Sequence, residues 1–125
     1  MTSDAIKQDF ESALVKHFAF KARLRSFLYG NGTSEGPLRS PDQCSLGQWI
    51  AERWHGFYQQ VPEMAALDAQ HRHIHEQANG LMDLYLAGQV ARAQAGFADV
   101  QHTADAIVTL LQTIEARVRT AGVRG

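Results

Sequence analysis

Four side chains of this sequence have the types that a tetrahedral zinc site requires. The only cysteine of the chain is Cys44, and a His-x-x-x-His pair, His71 and His75, follows it. An earlier histidine, His17, lies in a separate segment. One thiolate and three imidazoles are a ligand set that zinc binds with closed tetrahedral geometry. The sequence therefore predicts a Zn²⁺ site formed by His17, Cys44, His71 and His75.

The spacing of the histidine pair favours this interpretation only weakly by itself. On a helix, His71 and His75 project from one face about one turn apart, so one cation can bind both. The same spacing also arises by chance in a histidine-bearing helix. His73 lies two positions from each of them, and we predict that it is solvated. His55 is predicted to end a helix near the surface, and His102 lies off the heptad seam of the fourth helix, so neither is predicted to be a ligand.

Cys44 is predicted to lie in the first turn of a short helix that begins at Ser40-Pro41. Serine is a favoured N-cap, and proline suits the first helical position. A thiol in that turn lies near the positive end of the helix dipole, which favours the thiolate that zinc binds. Gly47 would let another backbone pack closely against this turn. The alternative is that Cys44 is simply a small buried apolar side chain.

His17 lies on the apolar stripe of the first predicted helix, between Leu14 and Leu24. A buried imidazole without a hydrogen-bonding partner is costly, so His17 needs a partner. One candidate is a backbone carbonyl or a hydroxyl in the core. The other is a metal ion shared with the third helix.

Four helices are predicted to position these residues. Proline occurs only at positions 37, 41 and 62, and the intervening stretches carry apolar residues at steps of three and four. The first predicted helix runs from Asp4 to Tyr29 and is capped by Thr2 or Ser3. The second is short and carries the cysteine motif. The third runs from Val61 to about Gly88, and the fourth contains Phe97–Val118. Residues 30–37 are predicted to be a loop. We therefore predict an all-α four-helix bundle, a single domain over residues 1–125.

Composition excludes several classes of partner. The chain of 125 residues has a net charge of −1, so we expect no nucleic-acid partner. We also expect no membrane partner, because no apolar stretch approaches the roughly 20 residues that span a bilayer. The N-terminus does not have the pattern of a secretory signal. A single cysteine fits a reducing cytoplasm, where we expect the protein to act.

Three motifs occur in the order of a known family. They are His17 with Phe20 and Lys21, Cys-x-Leu-Gly-x-Trp over residues 44–49, and His-x-x-Ile-His over residues 71–75. Together they resemble the chemoreceptor zinc-binding domain. The resemblance implies a four-helix bundle, generally dimeric, with zinc ligands at His17, Cys44, His71 and His75. It also implies regulation of a bacterial chemoreceptor or diguanylate cyclase by zinc, or by oxidants such as hypochlorous acid acting on the cysteine.

We therefore expect a sensory domain that is not an enzyme. Because no receptor or cyclase domain is present in the sequence, any output would pass in trans to a separate chemotaxis or cyclic-di-GMP signalling protein. One rival is a metal-dependent hydrolase or transferase with a three-histidine open site. Another is a helical interaction module with core histidines. The heptad spacing of the fourth helix fits a bundle core better than a dimer interface alone, but the resemblance favours a homodimer.

Overall fold

The part of the chain that the structure describes consists of α-helices joined by turns and loops, without a β-strand. The structure is a computed structural model that describes residues 2–122, with side chains described through residue 120. The helices are α1 (Ser3–Leu28), α2 (Gly36–Arg39), α3 (Ser45–Trp54), α4 (Glu63–Leu86), α5 (Val90–Ala95) and α6 (Phe97–Gly122). The all-α class is therefore confirmed. The four predicted helices correspond to α1, α3, α4 and α6.

The first helix begins where its capping residue predicts. The Thr2 hydroxyl oxygen accepts a hydrogen bond from the backbone N–H of Ala5 at 3.1 Å, which satisfies one of the free donors at the helix start. Asp4 lies in the first turn, where a carboxylate is favoured by the helix dipole. Past the other end, Gly30 has a φ of +80°, a left-handed conformation that glycine adopts without steric cost.

The start of α3 differs from the prediction. The helix begins at Ser45 and not at Ser40-Pro41, so Cys44 is its N-cap and does not lie in the first turn. Residues 41–43 form a turn in which the N–H of Cys44 donates to the carbonyl of Pro41 at 3.3 Å. Ser40 ends the short helix α2, which begins at Gly36-Pro37 inside the predicted loop. The helix-starting proline of this region is therefore Pro37, and Pro41 instead contributes a carbonyl to the turn.

The core lies mainly between α1, α4 and α6. The α6 seam supplies five fully buried side chains, Val100, Ala104, Ile107, Leu111 and Ile114. Phe97 and Val118, at the two ends of the seam, are partly buried against the same core. The heptad spacing of this helix therefore serves the core of the chain itself, as predicted. None of the described helices is long and apolar enough to cross a membrane.

Candidate metal centre

Three of the four predicted ligands meet in the core. Cys44, His71 and His75 each offer one donor atom, and these atoms lie within 4.8 Å of one another. All three side chains are buried. Zinc binds nitrogen and sulfur at distances that put tetrahedral donor atoms roughly 3.3–3.6 Å apart. The cluster therefore fits a single zinc ion with small adjustments.

His75 is oriented by the short helix α2. Its Nδ1 lies 2.7 Å from the carbonyl oxygen of Leu38. Because a carbonyl only accepts, Nδ1–H is the donor, and the neutral ring presents an unprotonated Nε2. That Nε2 lies 3.2 Å from Nε2 of His71. Histidine ligands commonly donate their second N–H to a carbonyl or carboxylate, which fixes the tautomer and the ring orientation.

Cys44 is brought to the centre by the turn before α3. Its side chain makes no capping hydrogen bond at the helix start, so the sulfur is not committed to that role. A Cβ on Gly47 would lie 1.9 Å from the carbonyl oxygen of Pro41 and 2.9 Å from Cε1 of His71. The lack of a side chain at Gly47 therefore lets the turn and the imidazole approach each other, as the sequence predicted.

His17 is buried nearby but has a separate hydrogen bond. Its Nε2 lies 3.1 Å from the carbonyl oxygen of Ala104 in α6. His17 is outside the cluster of donor atoms within 4.8 Å, although its charge would act on His71. The backbone-carbonyl partner weighed at the sequence level is therefore present. Ligation of a metal by His17 stays a prediction.

Burial keeps all three imidazoles neutral. It is the main cause that lowers the pKa of His71 to about 3, and the neighbouring His75 and His17 lower it further. Burial, aided by Lys21, lowers the pKa of His17 to about 4, against the opposing hydrogen bond to the carbonyl in α6. Burial also lowers the pKa of His75. Zinc binds the unprotonated imidazole, so these side chains are in the form that a metal requires.

An aromatic ring packs against the histidine pair. The Phe20 and His75 rings have centroids 4.7 Å apart, and the His71 and His75 rings have centroids 4.6 Å apart. Phe20 is the aromatic residue three positions after His17 in the family-like motif. Its buried ring covers His75 and helps to exclude water from the donor atoms.

A polar cluster around Asp9 holds the other part of α3, and sequence reasoning missed it. The Asp9 carboxylate accepts hydrogen bonds from Trp49 Nε1 at 3.1 Å, from Arg53 Nη2 at 2.6 Å and from the Tyr58 hydroxyl at 2.6 Å. Burial raises the pKa of Asp9, but the bonds from Arg53, Tyr58 and Trp49 outweigh it and leave that pKa below its usual value. This cluster ties α3 to α1, whereas Cys44 ties the start of α3 to the histidines.

The remaining histidines lie where the sequence predicted. His55, His73 and His102 are all exposed. His55 is the C-cap of α3, and His102 faces away from the buried seam of α6. The predicted distinction between buried and solvated histidines is thus confirmed for the described residues.

The family comparison covers this same region. A family model described as "Chemoreceptor zinc-binding domain" matches residues 17–82, slightly more than half of the chain. The match begins at His17 and includes Cys44, His71 and His75. No curated protein and no solved structure matches the chain. The matched family and the donor types of the buried cluster identify zinc as the cofactor. The chain belongs to the chemoreceptor zinc-binding domain family.

Proposed function

We propose that this chain is a regulatory domain whose zinc ion is bound by one thiolate and three imidazoles, from Cys44, His17, His71 and His75. The observation that carries the proposal is the buried cluster in which the donor atoms of Cys44, His71 and His75 lie within 4.8 Å. The hydrogen bond of His17 supports its role as fourth ligand. Because Nε2–H donates to the carbonyl of Ala104, the unprotonated Nδ1 is available for a metal.

Four protein ligands favour sensing over catalysis. They occupy all four coordination positions of a tetrahedral zinc ion and leave none for a reactive water. The rival hydrolase or transferase would bind its metal with three histidines and keep one position open for water. In such a site Cys44 would lie far from the metal. The proximity of Cys44 to His71 and His75 supports the closed site.

Ligands from three helices would make metal binding a conformational signal. When bound, zinc joins α1, α4 and the start of α3 through one ion. His17 also contacts α6 through Ala104, and His75 contacts α2 through Leu38. Cys44 is the one proposed ligand from the segment of α3, so its loss removes the metal's hold on the start of this ten-residue helix. The helix is then held only by its buried Leu46, Trp49 and Ile50 and by the Asp9 cluster. Metal sites contribute several kcal/mol to the bound arrangement, enough to shift a two-state equilibrium.

We propose oxidation of Cys44 as a second signal. A surface pocket reaches the cysteine and is lined by Lys16, Phe20, Arg23, Pro37, Leu38, Cys44 and Ser45. The cations Lys16 and Arg23 favour the approach of hypochlorite, the conjugate base of hypochlorous acid, with which it exchanges protons. In the reaction with hypochlorous acid the thiolate sulfur loses two electrons and becomes a sulfenic acid, while the chlorine leaves as chloride. The oxidised sulfur is a poorer ligand than the thiolate, so the start of α3 is released.

We also propose that the domain acts as a cytoplasmic homodimer. It would relay its state to a separate chemotaxis or cyclic-di-GMP signalling protein, such as a chemoreceptor or a diguanylate cyclase. The description of the matched family supports the link to chemoreceptors. The use of a lone cysteine supports a reducing compartment.

Zinc content tests the ligand set. Native mass spectrometry after dialysis against a weak chelator would compare the wild type with Cys44→Ala and His17→Ala. His102→Ala is the matched control, because it removes an exposed histidine. We expect one zinc per chain in the wild type and the control, and loss of zinc in the other two variants. Equal, tight zinc in Cys44→Ala and wild type rejects the thiolate ligand, and the same result for His17→Ala rejects the closed four-ligand site.

The oxidant step has its own test. Stopped-flow mixing of the zinc-loaded protein with hypochlorous acid measures the loss of the Cys44 thiolate and the release of zinc. We expect both to proceed faster than oxidation of an ordinary exposed thiol in a short peptide. A rate no greater than that of the peptide rejects the oxidant proposal and leaves the zinc site untouched.

A further inference from the structure

The first helix carries an exposed apolar stripe on the face that points away from the core. Val15, Phe18 and Tyr29 lie on it with exposed fractions of 68%, 49% and 53%. Positions 15, 18, 22, 25 and 29 follow one another at alternating steps of three and four, so Ala22 and Arg25 share this face. Alternating steps of this kind are typical of a face that packs against another helix.

The net charge along this face changes sign at Phe18. Toward the N-terminus the face continues with Glu11, Lys7 and Asp4, and toward the C-terminus it is flanked by Lys21 and Arg25. Within the described part of the chain, none of these five side chains forms an ion pair. The stripe thus has a net negative charge at one end, is apolar in the middle and is basic at the other end.

This pattern is complementary to itself when two copies meet in opposite directions. Glu11 and Arg25 each lie seven residues from Phe18, about 10.5 Å along the helix axis. A two-fold axis through Phe18 would therefore set Glu11 of each copy against the partner's Arg25. A parallel pairing would instead place like charges opposite each other, which is unfavourable.

We propose that the α1 stripe is the interface of the homodimer, with the two α1 helices antiparallel and Phe18 at the two-fold axis. This inference rests on the dimer proposed above and specifies its contact face. Val15 of one copy packs near the partner's Ala22, and two Glu11–Arg25 pairs flank the apolar centre. Such an isologous contact closes the assembly at two copies.

The surface around the axis suits an aromatic contact. A shallow depression beside Phe18 is lined by Phe18, Lys21, Ala22, Arg25, Phe97 and Gln101. Within one protomer, Lys21 Nζ lies 5.3 Å from the centre of the Phe18 ring, and Arg25 lies 5.7 Å from that of Tyr29. Phe18 directly follows His17, and their ring centroids are 5.6 Å apart. The dimer contact and the proposed metal ligand therefore share one turn of α1.

Sedimentation equilibrium of the zinc-loaded protein tests this interface. Phe18→Glu places two carboxylates at the axis and should raise the dimer Kd by at least about tenfold. Phe57→Glu makes the same change at an exposed aromatic residue outside the stripe and should leave the Kd unchanged. Circular dichroism checks that both variants keep wild-type helicity.

Charge reversal tests the direction of pairing. Glu11→Arg and Arg25→Glu, each alone, replace two attractive pairs by two repulsive ones, and each should raise the Kd by about tenfold at low salt. Both changes in one chain should restore the wild-type Kd. An equal mixture of the two single variants should form a heterodimer, because one chain then carries only cations at these positions and the other only carboxylates.

Three results would overturn the inference. A wild type that stays monomeric at high concentration rejects the interface together with the proposed dimer. A wild-type dimer that tolerates Phe18→Glu as well as Phe57→Glu rejects the α1 interface alone. Failure of the double reversal to restore dimerisation, with folded variants, rejects the antiparallel pairing.

Discussion

Replacing Gly47 with alanine tests how closely the turn before α3 packs against the metal centre. The added Cβ would lie 1.9 Å from the carbonyl oxygen of Pro41 and 2.9 Å from Cε1 of His71. Non-bonded carbon atoms settle at about 3.5–4.0 Å, so the Pro41 carbonyl must move by an ångström or more and the imidazole by about half an ångström. Ligand distances at a metal site hold to roughly 0.2 Å. A movement of that size therefore misplaces Cys44 or His71.

The Gly47→Ala protein should lose stability and zinc affinity together. Overpacking of a filled interior costs about 1–3 kcal/mol, and thermal unfolding of the metal-free protein measures this loss. Disturbed support of a ligand lowers metal affinity by about 10- to 100-fold. Competition with a chromogenic chelator measures the affinity.

Gly80→Ala is the matched control for this experiment. It makes the same change within α4, where the added Cβ meets nothing within 4 Å. Alanine is favoured over glycine in a helix interior by about 0.5–1 kcal/mol, so the control should be slightly more stable and bind zinc as the wild type does. If Gly47→Ala matched the control in both stability and zinc affinity, the reasoning about the turn would be refuted.

Two further predictions concern protons and the Asp9 cluster. The free energy of unfolding of the metal-free protein should fall as the pH drops below 6.5, because the pKa values of His17 (about 4), His71 (about 3) and His75 are lowered in the folded state. Each histidine takes up a proton on unfolding and lowers the free energy of unfolding by up to about 1.4 kcal/mol for each pH unit between 6.5 and its folded-state pKa. Urea unfolding at pH 6.5 and 5.5 measures this decrease, and equal free energies at the two pH values would contradict the prediction. Asp9→Asn should cost about 2–3 kcal/mol by urea unfolding, since three donors lose a charged acceptor. Asp83→Asn, at a carboxylate that is 69% exposed, should cost less than about 1 kcal/mol, and equal losses in the two variants would count against the Asp9 cluster.

Periodicity and capping residues were enough to predict the long helices. The spacing of apolar residues along α1, α4 and α6 indicated which face of each helix is buried, because residues three and four positions apart lie on the same face. The same signal placed His17, His71 and His75 in the core, and each is buried. Thr2 was correctly predicted as an N-cap candidate, because a capping hydroxyl bonds a backbone N–H only three residues away.

The segment from α2 to α3 could not be predicted in the same way. Two prolines, Pro37 and Pro41, carry the same local signal, and only packing decides which of them starts a helix. Gly36–Arg39 forms a single turn too short to show a period. The role of α2 in orienting His75 through the Leu38 carbonyl is a backbone contact, which side-chain identity does not encode.

The Asp9 cluster shows a second limit. Asp9 lies 40 or more positions from each of its partners, Trp49, Arg53 and Tyr58. No spacing rule joins residues so far apart in the chain. The available hint was Trp49 followed four residues later by Arg53, a pair of donors on one face of α3.

X-ray absorption at the zinc K-edge tests the central claim most directly, because it counts the atoms bound to the metal. The zinc-loaded wild type should give one sulfur at about 2.3 Å and three nitrogens at about 2.0–2.1 Å, from Cys44, His17, His71 and His75. A first shell of nitrogen and oxygen without sulfur would contradict the account, since Cys44 would then not be a ligand.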